Sequence, residues 1–230
     1  TQPMRVASNL SDHWGPALVG HSFFLMVDER QVASSGEGNG QSERVGTLQR
    51  INVAHYQTDL RLENISNFSL FAEDRMLFRQ VPAGETPGLF IWDGTRQRRL
   101  GDVATPGQLD MQFAGSGKAY FVLGSERLLS RLGNLDEPIE DLYVGVTRYS
   151  LRGDEKYAIM AASKADKTVT FALDLETGRE VPFARPNPCC WLGWDGDTFH
   201  YSQSAGANAP AEYHQVDVNS GVETCTLLPQ

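Results

Sequence analysis

The chain has 230 residues, 40% hydrophobic and 21% charged, with a formal net charge of −9. That composition is globular and excludes a disordered chain, and the length fits one all-β domain. The acidic balance, with no Lys/Arg cluster to offset it, argues against nucleic acid as a partner, and apolar runs as short as Phe23 to Val27 and Tyr157 to Ala162 predict no membrane span.

The chain opens on Thr1, which leads to the expectation of a removed leader and a secreted or periplasmic protein. From there a repeated unit runs along the sequence. Pro16 to Val27, Phe68 to Gln80, Met111 to Gly124, Tyr149 to Ala162 and Leu192 to Gln203 each read as a short apolar strand, a tight polar turn and a second alternating strand. The turns carry residues suited to positive φ or to local side-chain hydrogen bonds, such as Gly115-Ser-Gly-Lys and Asp195-Gly-Asp-Thr. Most copies are followed by a second hairpin, clearest at Val169 to Val181 and Tyr213 to Thr224, looser at Thr47 to Val53 and Leu89 to Arg96, and poorest around Arg127 to Leu135. Helical signals are weak; the one plausible helix is Ser125 to Leu132.

Two hairpins make a four-stranded antiparallel sheet, which cannot bury both faces alone, so its copies must pack on one another. The expected fold is all-β: a five-bladed β-propeller of four-stranded antiparallel blades, in a single domain, with a β-sandwich or barrel as the alternative. The string Ala172-Leu-Asp-Leu-Glu-Thr-Gly-Arg-Glu-Val and its echo Val216-Asp-Val-Asn-Ser-Gly-Val-Glu-Thr resemble the outer hairpins of quinoprotein-like and YVTN-like β-propeller repeats. The resemblance implies a fold and not one function. Quinone-binding repeats carry a tryptophan after the Thr-Gly turn, and Arg179 to Phe183 contains none.

In a propeller the entries to the innermost strands form a ring near one face. Registering the inner hairpins on their second strands puts His13 with Trp14, Asn67 with Phe68, Leu109 with Asp110, Thr147 with Arg148, and Cys189 with Cys190 in equivalent positions. His13, Trp14, Asn67, Asp110 and Arg148 are the resulting binding candidates; the plainer reading makes them loop residues bonded to nearby backbone. His21, His200 and His214 sit in a turn or within strand patterns, which favours structural roles.

No paired carboxylates fall at the ring, no nucleophile elbow occurs, and the glycine-rich run Gly36 to Gly40 lacks a phosphate-loop ending. Cys189, Cys190 and Cys225 lack zinc-type spacing, and buried small hydrophobes are the commoner role for such residues. The expectation is therefore no metal, no cofactor, and a module whose loop face holds a protein partner, of inhibitor or immunity type, or a glycan. The alternative is a carbohydrate-active hydrolase or lyase using His13, Asp110 and Arg148 at the channel mouth; the sequence leaves open whether the chain is an enzyme.

Overall fold

The computed structural model describes residues 16–33, 42–82, 85–103, 111–184, 190–204 and 211–227. The chain forms two compact units, Thr1–Asp141 and Leu142–Gln230. Every regular element among the described residues is a strand, and no helix there is long and apolar enough to cross a membrane.

The first unit begins with a seven-stranded antiparallel meander of β1 (Ala17–Val19), β2 (Ser22–Ala33), β3 (Ser42–Asn52), β4 (Gln57–Ala72), β5 (Arg75–Gln80), β6 (Gly88–Trp92) and β7 (Gln97–Asp102). A four-stranded meander follows, of β8 (Met111–Phe113), β9 (Ala119–Leu123), β10 (Leu128–Leu132) and β11 (Glu140–Tyr143), its last strand running across the unit boundary. The second unit holds the sheet of β12 (Val146–Leu151), β13 (Tyr157–Lys164), β14 (Lys167–Asp174) and β15 (Glu180–Pro182). Its other sheet is β16 (Cys190–Asp195), β17 (Thr198–Ser204), β18 (Ala211–Asp217) and β19 (Glu223–Leu227).

All five expected inner hairpins form, as β1–β2, the second half of β4 with β5, β8–β9, β12–β13 and β16–β17. Five equal four-stranded blades do not. The first two expected blades share one strand: residues 57–62 of β4 pair with β3, residues 67–72 pair with β5, and Ile65 pairs with both neighbours. The hand-over is built on Asn64, a non-glycine residue at φ 61° whose carbonyl accepts the Val81 N–H at 2.8 Å and whose Oδ1 accepts from Arg30. One bent strand of 16 residues thus does the work of two. The one segment with a weak helical pattern, Ser125 to Leu132, is a turn followed by β10, whose Leu129 and Leu132 are buried. Two turns of weak amphipathic pattern lose to cross-strand pairing with Ala119–Leu123.

Within each unit, sheets pack face to face. Leu77, Leu89, Ile91 and Leu100 of the first sheet close on Ala119, Phe121 and Leu132 of the second, while Phe24, Met26, Leu48, Ile65, Met76, Phe78 and Trp92 fill the space around the bent β4. In the second unit Tyr157, Ile159, Ala172, Val181 and Phe183 meet Phe199, Tyr201, Val216 and Val218. Alternation along each strand supplies these faces.

The outer hairpins share a turn device that explains their repeated Asp-x-x-Thr/Ser-Gly wording. Asp174 Oδ1 accepts the N–H groups of Glu176 (3.0 Å) and Thr177 (2.9 Å); Asp217 Oδ1 accepts those of Asn219 (3.0 Å) and Ser220 (2.8 Å). Asp93, in β6–β7, does the same with Thr95 and Arg96. Hydrogen bonding to a carboxylate favours the charged form: the Arg96 N–H, helped by Thr95 and opposed by slight desolvation, lowers the Asp93 carboxyl from 3.8 to about 2. A depressed native pKa contributes stability that is full above the unfolded value and lost as pH falls through the native one. The Asp93 contribution is therefore expected to hold above about pH 4 and to vanish between about pH 4 and pH 2. Urea midpoints measured across that range should fall less steeply in Asp93→Asn; an unchanged slope would refute this assignment.

Candidate functional site

The bend in β4 brings both ends of that strand to one place in the first unit. The β1–β2 turn (Val19 to Ser22), the end of β3 with the start of β4 (Arg50 to Asp59), and the β4–β5 turn (Phe71 to Asp74) line a cleft of about 740 Å³. That volume lies in the range of small-ligand and side-chain pockets.

Arg50 braces the cleft. Its Nε donates to Asp59 at 2.7 Å, its Nη1 to the Glu73 carbonyl at 2.8 Å, and its guanidinium lies 4.8 Å from the centre of the Trp92 ring. Glu73 ties the turns together, because its Oε2 accepts the His21 N–H at 2.9 Å and the Ser22 hydroxyl at 3.2 Å. Chiefly the His21 N–H, working against partial desolvation and aided by Ser22, His21 and Arg50, holds the Glu73 carboxyl below its usual range. It is an anion at neutral pH. Gly20, at φ 58°, gives the wall its close approach: a Cβ there would stand 2.9 Å from Glu73 Oε2. Three carboxylates, Asp59, Glu73 and Asp74, thus share the cleft lining with one guanidinium, beside the exposed Phe71, which is 42% accessible and packs on Phe113 at 5.5 Å.

Of the binding candidates read from sequence, His13, Trp14 and Asp110 lie outside the described residues, as does Cys189. Asn67 is half-buried in β4 opposite Arg79, and its Oδ1 accepts the next N–H, that of Phe68, at 2.7 Å. Arg148 follows a bulge in β12, is exposed, and stacks 4.3 Å over Trp191. The two stand in different units, and neither lines the cleft. Cys190 and Cys225 are exposed free thiols rather than the buried residues expected, because each sits on a strand at the open side of its sheet order, β16 and β19.

A second polar cluster lies in the last sheet. His214, 3% accessible, carries Glu223 Oε1 at 2.7 Å from Nδ1, Glu212 Oε2 at 3.2 Å from Nε2 and Cys225 Sγ at 3.7 Å from Nε2. Within-strand position had suggested only a structural role for this histidine. The missed signal is two-residue spacing: Glu212 and His214 share one face of β18, and register sets Cys225 opposite His214.

No protein-family model and no curated protein matches the sequence. Solved structures do. The β-propeller domain of the trilobed protease from Pyrococcus furiosus, of open velcro topology, is 10% identical, with 96% of this chain and 70% of that one covered at a TM-score of 0.59. Porphyromonas gingivalis dipeptidyl peptidase 4 is 10% identical over 90% of this chain and 35% of that one, at 0.61. A prolyl endopeptidase is 10% identical over 96% and 41%, at 0.55. The chain thus spans well under half of each of these two peptidases. At such identity the likeness concerns fold alone, and it agrees with the meandering sheets above: four antiparallel sheets resembling propeller blades, the first of them of seven strands.

Proposed function

We propose that the chain is a non-catalytic binding module whose first unit takes a cationic segment of a protein partner, with an apolar residue beside the cation, into the β4 cleft. The observation that carries this reading is the lining: three carboxylates against one arginine, next to an exposed phenylalanine, in a concavity of about 740 Å³. Arg50 is committed to Asp59 and the Glu73 carbonyl, so the charge it offers an incoming ligand is largely spent. Asp74 is exposed on the rim. A lysine or arginine side chain supplies the missing positive charge, and its neighbour covers Phe71. A neutral glycan would leave the carboxylates uncompensated, which favours polypeptide over sugar. The net charge of −9 acts in the same direction at longer range by steering a basic partner inward.

The test uses short labelled peptides of Lys/Arg-plus-aromatic composition, titrated with the intact chain by fluorescence anisotropy. Asp74→Lys is expected to weaken binding roughly tenfold without altering the melting temperature, and raised salt should weaken the wild type. Affinity indifferent to both changes would sink the reading.

A further inference from the structure

We propose that Glu212, His214 and Cys225 form a three-ligand site for a divalent transition ion of the zinc class, with its fourth position open to solvent and Glu223 as the outer carboxylate that orients the histidine. The site stands in the second unit, apart from the peptide-binding reading and independent of it.

The His214 ring is held in one orientation. Glu223 is fully engaged as an acceptor: its Oε1 takes the Tyr201 hydroxyl and faces His214 Nδ1 at 2.7 Å, and its Oε2 takes the Ala184 N–H at 2.7 Å. A carboxylate so placed requires a proton on Nδ1. The ring plane is fixed as well, since Tyr201 stacks on His214 with centroids 4.5 Å apart and planes 3° from parallel, and Phe183 stacks on the far side of Tyr201 at 5.4 Å. With Nδ1 turned to Glu223, the ring points its Nε2 at Glu212 Oε2, 3.2 Å away, and at Cys225 Sγ, 3.7 Å away. The space these groups share can hold the Cys225 thiol proton, donated to Nε2, or a metal ion in its place.

The third donor favours the ion. One atom each from Glu212, His214 and Cys225 lies within 4.8 Å of the others. A tetrahedral zinc ion with bonds of about 2.0 to 2.1 Å to nitrogen or oxygen and about 2.3 Å to sulfur has N–O and N–S edges of about 3.3 and about 3.6 Å. The observed separations of 3.2 and 3.7 Å match those edges. Carboxylate, imidazole and thiolate together suit zinc or cobalt rather than calcium or magnesium. Outer carboxylate, histidine and ion then reproduce the linkage by which protein zinc sites hold an imidazole in one orientation. Cys225 is exposed on β19, which leaves one coordination position facing water, while Glu212 and His214 anchor the ion to β18.

The experiment is a titration of the tag-free chain with Co²⁺, read by thiolate-to-cobalt charge transfer and visible ligand-field bands, followed by displacement with Zn²⁺. One equivalent is expected to bind and to give the charge-transfer band. Cys225→Ser, an exposed change that should leave the fold intact, abolishes that band. His214→Ala weakens binding at least about a hundredfold, and Glu223→Gln weakens it about 10- to 100-fold. Zinc raises the melting temperature of the wild type, and a chelator reverses the rise. Absence of stoichiometric binding would overturn the proposal and leave a purely hydrogen-bonded cluster; a charge-transfer band that persists in Cys225→Ser would overturn it by placing the ion on other thiols.

Discussion

Replacing Glu43 by alanine lowers the unfolding free energy by about 3 to 5 kcal/mol, because it strands a buried guanidinium. Arg79 is fully buried on β5 and donates from Nη1 to Glu43 Oε1 on β3 at 2.6 Å; Glu43 is itself only 6% accessible. Burial pulls the Arg79 pKa down, and the charge and hydrogen bond of Glu43 oppose it. The pair is incompletely satisfied, since Nε and Nη2 of Arg79 and Oε2 of Glu43 have no hydrogen-bond partner among the described residues. Desolvation then leaves little net gain, so the double replacement Arg79→Met with Glu43→Leu should recover most of the loss. Urea unfolding of Arg79→Met, Glu43→Leu and the double variant gives the cycle, with Glu43→Ala measured beside it. A double variant no more stable than Glu43→Ala would show that the ion pair itself supplies stability. The pair links β3 to β5.

Truncating Phe199 to alanine has a comparable effect in the second unit, about 3 to 5 kcal/mol. Its ring is fully buried and has Phe183 at 6.0 Å, Trp191 at 6.0 Å and Trp194 at 5.1 Å, the two tryptophans edge-on. The cavity cannot collapse easily, because Phe183 is also stacked on Tyr201 and the sheets on both sides are hydrogen-bonded throughout. Phe199→Leu should cost far less. Thermal unfolding followed by tryptophan fluorescence separates the two; equal losses would mean that the ring contacts, and not the buried apolar volume, carry the stability.

These effects bear on what could be read in advance. The hairpins were legible because each carries two-residue alternation and a turn with its own chemistry, and the Asp174 and Asp217 turns show why the wording repeats: one carboxylate oxygen satisfies two backbone N–H groups. The sharing of β4 between the first two expected blades was not, because Asn64 takes a left-handed conformation without the glycine that usually announces one. Arg79 follows Met76-Leu77-Phe78 in a buried strand, and its partner lies 36 residues earlier, a pairing no local pattern reveals.

The site was harder still. The cleft gathers residues around positions 20, 50 to 59 and 71 to 74, which meet only because β4 bends. The ring expected from equal blades draws on His13, Trp14 and Asp110, which lie outside the described residues. The cluster at His214 was closer to hand, since Glu212-x-His214 already sets both side chains on one strand face; the opposing Cys225 follows once the β18–β19 hairpin is placed in register.

The cleft reading is tested most directly by amide chemical-shift mapping of the intact chain titrated with a Lys/Arg-aromatic peptide. The account predicts saturable shifts concentrated on the three lining segments, Val19 to Ser22, Arg50 to Asp59 and Phe71 to Asp74. Shifts centred on the second unit, or none at saturating peptide, would contradict it.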